Sequence, residues 1–161
     1  MESRPHPEDS RQVELLGRNR LIDELLRDNL EVALPVRDRG IDLIAYADRD
    51  DRVTEYRACP IQLKAAWKQT FGVDQKYERF PGLLIVYVWN LGSDTGDAVT
   101  YAMNYQQCCK IADTMGWNRT RSWWRHVHAD KRAGKRFLEL LEPFRMKPGS
   151  WWKLIVTGPT V

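Results

Sequence analysis

The stretch LLIVYVWNL, residues 83–91, constrains the fold more than any other part of the sequence. It opens with seven consecutive apolar residues, without the alternation of polar and apolar side chains that marks a half-exposed strand. A short run of this kind is typical of a strand that is buried on both faces of an α/β sheet. It is far too short to cross a bilayer. We therefore expect an inner strand, with helices covering both sides of the sheet.

Periodicity and turn residues place further elements around this strand. We expect a helix over residues 9–29, with its apolar stripe at Leu15, Ile22, Leu25 and Leu26. The other predicted elements are strands at 30–36, 40–46, 56–66 and 98–103, a helix that follows Asn104, and a last helix within 134–144. This order predicts an α/β protein with a mixed central sheet flanked by helices.

The length of 161 residues fits a single domain spanning residues 1–161. We divide it into a core of about 10–116 and a basic, tryptophan-rich C-terminal extension of about 117–161. The N-terminus has no apolar segment of the kind that directs secretion, and the three cysteines form no CxxC pair. We accordingly expect a cytoplasmic protein without a membrane partner.

Two neighbouring predicted strands carry polar residues where apolar ones would be usual. Asp42 lies near the start of one, and Gln62 and Lys64 lie within the next. Side chains alternate between the faces of a strand, so Gln62 and Lys64 should point the same way. If the two strands pair, Asp42 can approach them at one end of the sheet. An acid, an amide oxygen and an ammonium group would then converge.

Such a constellation suits phosphodiester hydrolysis. Carboxylate and amide oxygens bind a hard divalent cation, and a lysine beside it can hold a phosphate or a water. An isolated lysine is costly to bury in an apolar strand, so it normally has a partner or a chemical task. A structural alternative is that Asp42 and Lys64 merely form a buried ion pair.

This arrangement resembles the PD-(D/E)xK, or restriction-endonuclease-like, nucleases. In that family a first helix precedes an aspartate on the second strand and a (D/E/Q)-x-K triplet on the third. Here the motifs read RGIDLIAY and IQLKAA. The QxK form is similar to Mrr-type restriction enzymes, and LLRDNLEVALPV is similar to Holliday-junction-resolvase-like members. The similarity covers roughly residues 10–66 and the strand and helix that follow.

The resemblance implies a restriction-endonuclease-like core and a Mg²⁺- or Mn²⁺-dependent endonuclease that hydrolyses DNA. It assigns Asp42, Gln62 and Lys64 to catalysis. Asp42, the side-chain oxygen of Gln62 and the backbone carbonyl of Leu63 would bind the metal. Lys64 would position the attacking water and stabilise the charge that develops on the phosphate.

The sequence departs from the family pattern at two places. Ile41 stands where many members have a proline, and Arg18 or Asn19 aligns with a metal-binding glutamate of the first helix. Glu14, one turn earlier on the same face, is the candidate to replace that glutamate, and Glu24 is a weaker one. Because Gln62 has no charge, Asp42 would be the only firm carboxylate.

Two other functions therefore stay open. The first is a nuclease-like protein that has lost catalysis and binds only nucleic acid or a protein partner. The second is a small α/β interaction protein with no nucleic-acid role, which the modest net charge of +3 favours.

Positive charge is concentrated late in the chain, since residues 1–60 carry 10 Lys and Arg against 14 Asp and Glu. The segment 119–136 has seven basic residues and one acid, with two tryptophans between them. Basic residues interleaved with aromatics suit a polyanion with stackable bases, although a solvated face is equally compatible. The predicted DNA-binding residues are Arg119, Arg121, Arg125, Lys131, Arg132, Lys135 and Arg136. The DNA could be duplex or branched, and a homodimer is one way to achieve selectivity.

Overall fold

A computed structural model of the protein describes residues 9–47, 52–92, 97–119 and 134–158. Within these ranges five strands form one mixed sheet with helices on both faces, which confirms the predicted α/β architecture. The elements are α1 (Ser10–Arg27), β1 (Leu30–Ala33), β2 (Leu43–Ala47), β3 (Ala58–Ala65), β4 (Leu84–Trp89), β5 (Val99–Met103), α2 (Tyr105–Thr114) and α3 (Lys135–Leu141). None of the helices in these ranges is long and apolar enough to cross a bilayer.

The strands lie side by side in chain order, from β1 to β5. All neighbouring pairs are antiparallel except β3 and β4, which are parallel. A parallel pair needs a long crossover connection, for which an α-helix is usual. Here the crossover is residues 66–83, and its regular structure is the short 3₁₀ helix Gln75–Arg79. It runs over one face of the sheet, because its Tyr77 is buried in the core on that side.

Every residue of β4 is buried, as its unbroken apolar sequence predicts. Ile85, Tyr87 and Trp89 face one hydrophobic core, whereas Leu84, Val86 and Val88 face another. The first core is closed by α2 and α3, and the second by α1 and the C-terminal residues. A strand with two buried faces requires both layers of helix.

The buried stripe of α1 agrees with the predicted one at Leu25, which is buried, and Ile22, which packs half-buried against the core, but differs elsewhere. Leu15 and Leu26 are 53% and 50% exposed, and the buried positions are Val13, Gly17, Leu21 and Leu25. A Cβ added at Gly17 would lie 2.5 Å from the Cβ of Ala65 in β3. The helix therefore approaches the sheet through its glycine, and this contact selects the face that is buried.

Helix α2 forms where the sequence predicts it. The side chain of Asn104 accepts a hydrogen bond from the backbone of Gln107, and the Gln107 side chain accepts one from the backbone of Asn104. This reciprocal pair is the capping box, which satisfies two backbone donors at the start of the helix. Gly116, just past the end of α2, has a positive φ of 74°.

A C-terminal helix was not predicted. It is α-helical over Ser150–Trp152 and π-helical over Lys153–Thr157. The carboxylate of Asp28 accepts hydrogen bonds from the backbone N–H groups of Gly149, at 2.7 Å, and Trp151, at 2.8 Å. The helix is thus anchored to the end of α1, and the predicted last helix, α3, is followed by another.

The C-terminal residues contribute to both cores. Phe137 and Leu141 of α3 pack in the first core, and Trp151 and Ile155 of the C-terminal helix pack in the second. Within the region predicted as an extension, the described residues 134–158 therefore cover both faces of the sheet.

Candidate active site

Asp42 is fastened to β3 by three hydrogen bonds. Its backbone N–H donates to the carbonyl of Ile61 over 2.9 Å. Its side-chain Oδ2 accepts from the backbone N–H of Leu63, at 2.5 Å, and from Nε2 of Gln62, at 2.7 Å. The pairing of β2 with β3 produces these contacts, because Asp42 comes directly before the first residue of β2.

Gln62 and Lys64 lie on the opposite face of β3 from Ile61 and Leu63. Ile61 and Leu63 are buried in the core that α1 covers. Gln62 and Lys64 are half-buried, and Lys64 is in register with Tyr87, which belongs to the other core. The structure thus places Gln62 and Lys64 on one face, as strand alternation predicts, with Asp42 against Gln62.

The amide nitrogen of Gln62 lies between two of the predicted metal ligands. Nε2 donates to Oδ2 of Asp42 and also to the carbonyl oxygen of Leu63, at 3.3 Å. A partly positive N–H₂ group therefore occupies the space between a carboxylate oxygen and a backbone oxygen. The amide must rotate before its oxygen can turn toward that space.

Lys64 has no carboxylate within ion-pair distance among the described residues, so the predicted alternative of an Asp42–Lys64 ion pair is wrong. Its Nζ lies over the ring of Tyr77, 5.7 Å from the centroid. Burial, and then the positive charge of Lys76, lower the pKa of Lys64, while Asp42 and Asp74 oppose that shift. Half-buried and without a close counter-ion, the ammonium group is available to an incoming anion.

The pKa of the Asp42 carboxyl is shifted upward, whereas that of Lys64 is shifted downward. Burial raises the pKa of Asp42 above the ordinary value of 3.8, and the negative charges of Asp38 and Glu14 raise it further. The hydrogen bond from the Leu63 backbone and the charge of Arg18 lower it. A carboxyl whose negative form is disfavoured gains from a nearby cation.

The two helix glutamates have different surroundings. Glu14 is close enough to raise the pKa of Asp42, and its exposed carboxylate pairs with Arg18 at 2.8 Å. Glu24 lies deeper along α1 and accepts hydrogen bonds from Thr100, at 2.7 Å, and from the indole of Trp151, at 3.2 Å. These contacts make Glu24 part of the packing between α1 and its neighbours. Glu14 is therefore the remaining candidate for the metal-binding glutamate of the first helix.

The donor set fits Mg²⁺ or Mn²⁺ only as a weak site. Among the residues that the structure describes, no three His, Cys, Asp or Glu side chains are grouped as metal ligands. Asp42 and the carbonyl of Leu63 face a common point, and a rotated Gln62 amide would add an oxygen. Mg²⁺ binds through one or two carboxylates and keeps several waters, so this set is compatible with it.

The sequence analysis did not identify the residues of the β3–β4 crossover that lie beside Lys64. Tyr77 lies under both Lys64 and Lys76, and burial followed by the charge of Asp74 raises the pKa of Tyr77 to about 12. The segment DQKYERFPG, residues 74–82, mixes cations with aromatics. That composition was a usable signal, but it lies in the crossover, away from the two recognised motifs.

The predicted basic segment lies largely outside the described residues. Arg121, Arg125, Lys131 and Arg132 are not described. Arg119 ends a 3₁₀ turn and is exposed. Lys135 and Arg136 begin α3 and are also exposed, and Arg136 donates to the carbonyl of Thr114 over 3.4 Å. The assignment of this segment to DNA stays a prediction.

No protein-family model matches the chain, and comparisons with curated proteins and with solved structures find no significant similarity either. The resemblance to PD-(D/E)xK nucleases therefore rests on the residues of the two motifs.

Proposed function

We propose that this protein has a restriction-endonuclease-like core and is a Mg²⁺- or Mn²⁺-dependent endonuclease that hydrolyses phosphodiester bonds in DNA. The observation that carries the proposal is the state of Lys64. Lys64 is half-buried on the same face of β3 as Gln62, its ammonium group lies over the ring of Tyr77, and it has no ion-pair partner in the described ranges. Its pKa is lowered chiefly by burial, so binding a phosphate would relieve a cost that the fold now bears.

Each residue has a distinct task in this proposal. Asp42, the Leu63 carbonyl and the Gln62 amide oxygen would hold the metal, with Glu14 supplying further negative charge nearby. When bound, the metal would act as a Lewis acid on a phosphoryl oxygen. Lys64 would donate to an oxygen of the scissile phosphate and stabilise the negative charge that develops there as water attacks.

A second candidate is a nuclease-like protein that binds nucleic acid without cleaving it. The observation in its favour is the hydrogen-bond pattern at Asp42. The Leu63 N–H and the Gln62 amide both donate to Oδ2, so protein groups already satisfy that oxygen. A site of this kind is stable without a cation, and its lysine could still hold a phosphate.

A metal titration with three DNA substrates tests these candidates. The full chain is incubated with supercoiled plasmid, a single strand and a branched duplex while the Mg²⁺ or Mn²⁺ concentration is increased. The nuclease proposal predicts products that appear with metal and vanish with a chelator. DNA binding without cleavage products supports the second candidate. If the protein neither binds nor cleaves DNA, both candidate functions are contradicted.

A further inference from the structure

A pocket of about 440 Å³ opens beside the candidate active site. One wall is the end of the β1–β2 loop, residues 39–41. The other is the crossover, residues 76–77 and 79–83, and Pro60 of β3 also lines the pocket. Small-molecule sites in proteins have volumes of roughly 300–1,000 Å³, so the pocket is large enough for a compact ligand.

The pocket shares walls with the site. Gly40 lines it, and a Cβ built on Gly40 would lie 3.9 Å from Oε1 of Gln62. Tyr77 lines it as well, and its ring lies under the ammonium group of Lys64. A ligand in the pocket would therefore lie next to Gln62 and Lys64.

The charged side chains that line the pocket are all cationic, although Asp38, Asp42 and Asp74 are near enough to raise the pKa of the lining Tyr77. Arg39, Lys76 and Arg79 line the pocket, and no carboxylate does within the described part of the chain. Lys76 pairs with Asp74 at 3.3 Å. Arg39 and Arg79 have no ion-pair partner among the described residues, and both are exposed. Two arginines without counter-ions favour an anion, and planar guanidinium groups suit phosphate.

An aromatic side chain projects among these cations. Phe80 is 55% exposed, although burying its ring elsewhere would be favourable. It lines the pocket together with Pro81 and Leu83, so the pocket has an apolar surface beside its charged one. An exposed ring with adjacent arginines is the combination that binds single-stranded nucleic acid, since bases stack on the ring and phosphates pair with the cations.

We propose that this pocket holds an unpaired nucleotide of the strand that is cleaved, with its base on Phe80 and its phosphate on Arg39 and Arg79. In a continuous duplex the faces of the bases are stacked on each other, and a side chain reaches them only if the base is extruded. The substrate is then a single strand, or a duplex with a gap, flap or branch. This inference rests on the proposed nuclease function and names the substrate class of the same site.

The test compares the affinity of a short fluorescent single strand with that of the same sequence as a duplex. Anisotropy in the presence of a chelator measures binding without cleavage. Loss of base stacking costs roughly 1–3 kcal/mol, so Phe80→Ala should weaken single-strand binding by about 5-fold or more and leave duplex binding nearly unchanged. Phe80→Trp should bind the single strand about as tightly as wild type, because indole also stacks on bases. Phe80→Leu should bind it as weakly as Phe80→Ala.

Arg79→Ala should also weaken single-strand binding, whereas Lys110→Ala is the matched control. Lys110 is exposed on α2, outside the pocket, and its loss changes the net charge equally. Thermal unfolding of each variant shows whether the fold is kept, and Phe80→Leu separates packing from stacking.

The possible outcomes separate this inference from the proposed function. If wild type cleaves DNA with metal but Phe80→Ala binds the single strand like Lys110→Ala, the pocket assignment is wrong and the nuclease proposal stands. Preferential binding of the continuous duplex also overturns the inference. If wild type binds no nucleic acid at all, both proposals fail.

Discussion

The amide nitrogen of Gln62 donates to Oδ2 of Asp42 over 2.7 Å, where an acidic residue would place a second negative charge. The neutral amide lets Asp42 remain close to β3 without like-charge repulsion. It also limits the site to one carboxylate in direct contact with the predicted metal position. The identity of residue 62 should therefore set the metal affinity.

Replacing this amide by a carboxylate should tighten metal binding. In Gln62→Glu the added charge repels Asp42 when no metal is bound and attracts the cation when it is. We expect the melting temperature to rise more with Mg²⁺ concentration in the variant than in wild type, because a ligand that binds the folded state stabilises it. Gln106→Glu, on the exposed side of α2, is the control for charge. Equal responses of the two variants would remove residue 62 from the metal site.

The raised pKa of Asp42 has a defined effect on stability. The folded state holds the proton of this group more tightly than the unfolded chain, so its contribution to stability is present below about pH 3.8 and is lost as pH rises through the folded pKa. Asp42→Asn removes the disfavoured charge. We expect its free energy of unfolding to exceed that of wild type at neutral pH and the difference to vanish in acid.

Asp23→Asn is a control of opposite sign, measured by the same urea titrations across pH. The hydrogen bond from Arg27 lowers the pKa of Asp23, so its carboxylate stabilises the fold above pH 3.8 and the asparagine variant should lose stability there. If Asp42→Asn behaves like Asp23→Asn, Asp42 is stabilised as an anion and the proposed demand for a cation is absent.

The close contact of α1 with β3 should not tolerate a side chain at position 17. Gly17→Ala brings the new Cβ to 2.5 Å from that of Ala65, and overpacking of this kind costs about 1–3 kcal/mol. The better helix propensity of alanine offsets about 1 kcal/mol at most. Urea denaturation should therefore show a net loss of stability. Gly72→Ala is the control, because a Cβ there meets no atom within 4 Å; equal losses would refute the account of Gly17.

The predicted DNA-binding segment can be tested through salt dependence. On duplex DNA, each neutralised phosphate contributes a slope of roughly −0.9 to the logarithm of affinity against the logarithm of salt concentration. Replacing Arg121, Arg125 and Arg132 by alanine should flatten that slope by about 2–3 and weaken all sequences similarly.

The matched control for this triple variant replaces the exposed Arg11, Lys110 and Lys153, which removes the same charge elsewhere. An unchanged slope in the first variant places the DNA away from residues 119–136. A loss confined to some sequences would mean that these arginines read bases.

The sequence predicted those elements of structure that are determined by residues close to one another in the chain. The apolar run 83–89 predicted the inner strand β4, and Asn104 predicted the start of α2. Strand alternation placed Gln62 and Lys64 on one face. In each case the residues that decide the structure lie within a few positions of one another.

Features that depend on distant residues were missed. The buried face of α1 includes Gly17, which contacts Ala65, whereas the leucine spacing alone favoured a stripe that also contains the exposed Leu15 and Leu26. The C-terminal helix has aromatic and β-branched residues, and the carboxylate that accepts from its first backbone N–H groups is Asp28, more than a hundred positions earlier. The pocket combines Arg39 with residues of the crossover, so no single stretch of sequence contains it.

Single-turnover cleavage by Lys64→Met measures whether the ammonium group of Lys64 takes part in DNA hydrolysis. Methionine keeps an apolar stem but removes the cation, and Lys68→Met makes the same change at an exposed position nearby. With Mg²⁺ and the best substrate of the titration, we predict that Lys64→Met cleaves at least about 100-fold more slowly than wild type without a loss of thermal stability, because a lost electrostatic donor acts on the transition state. Lys68→Met should cleave at the wild-type rate. Cleavage by Lys64→Met at that rate would contradict the proposed site.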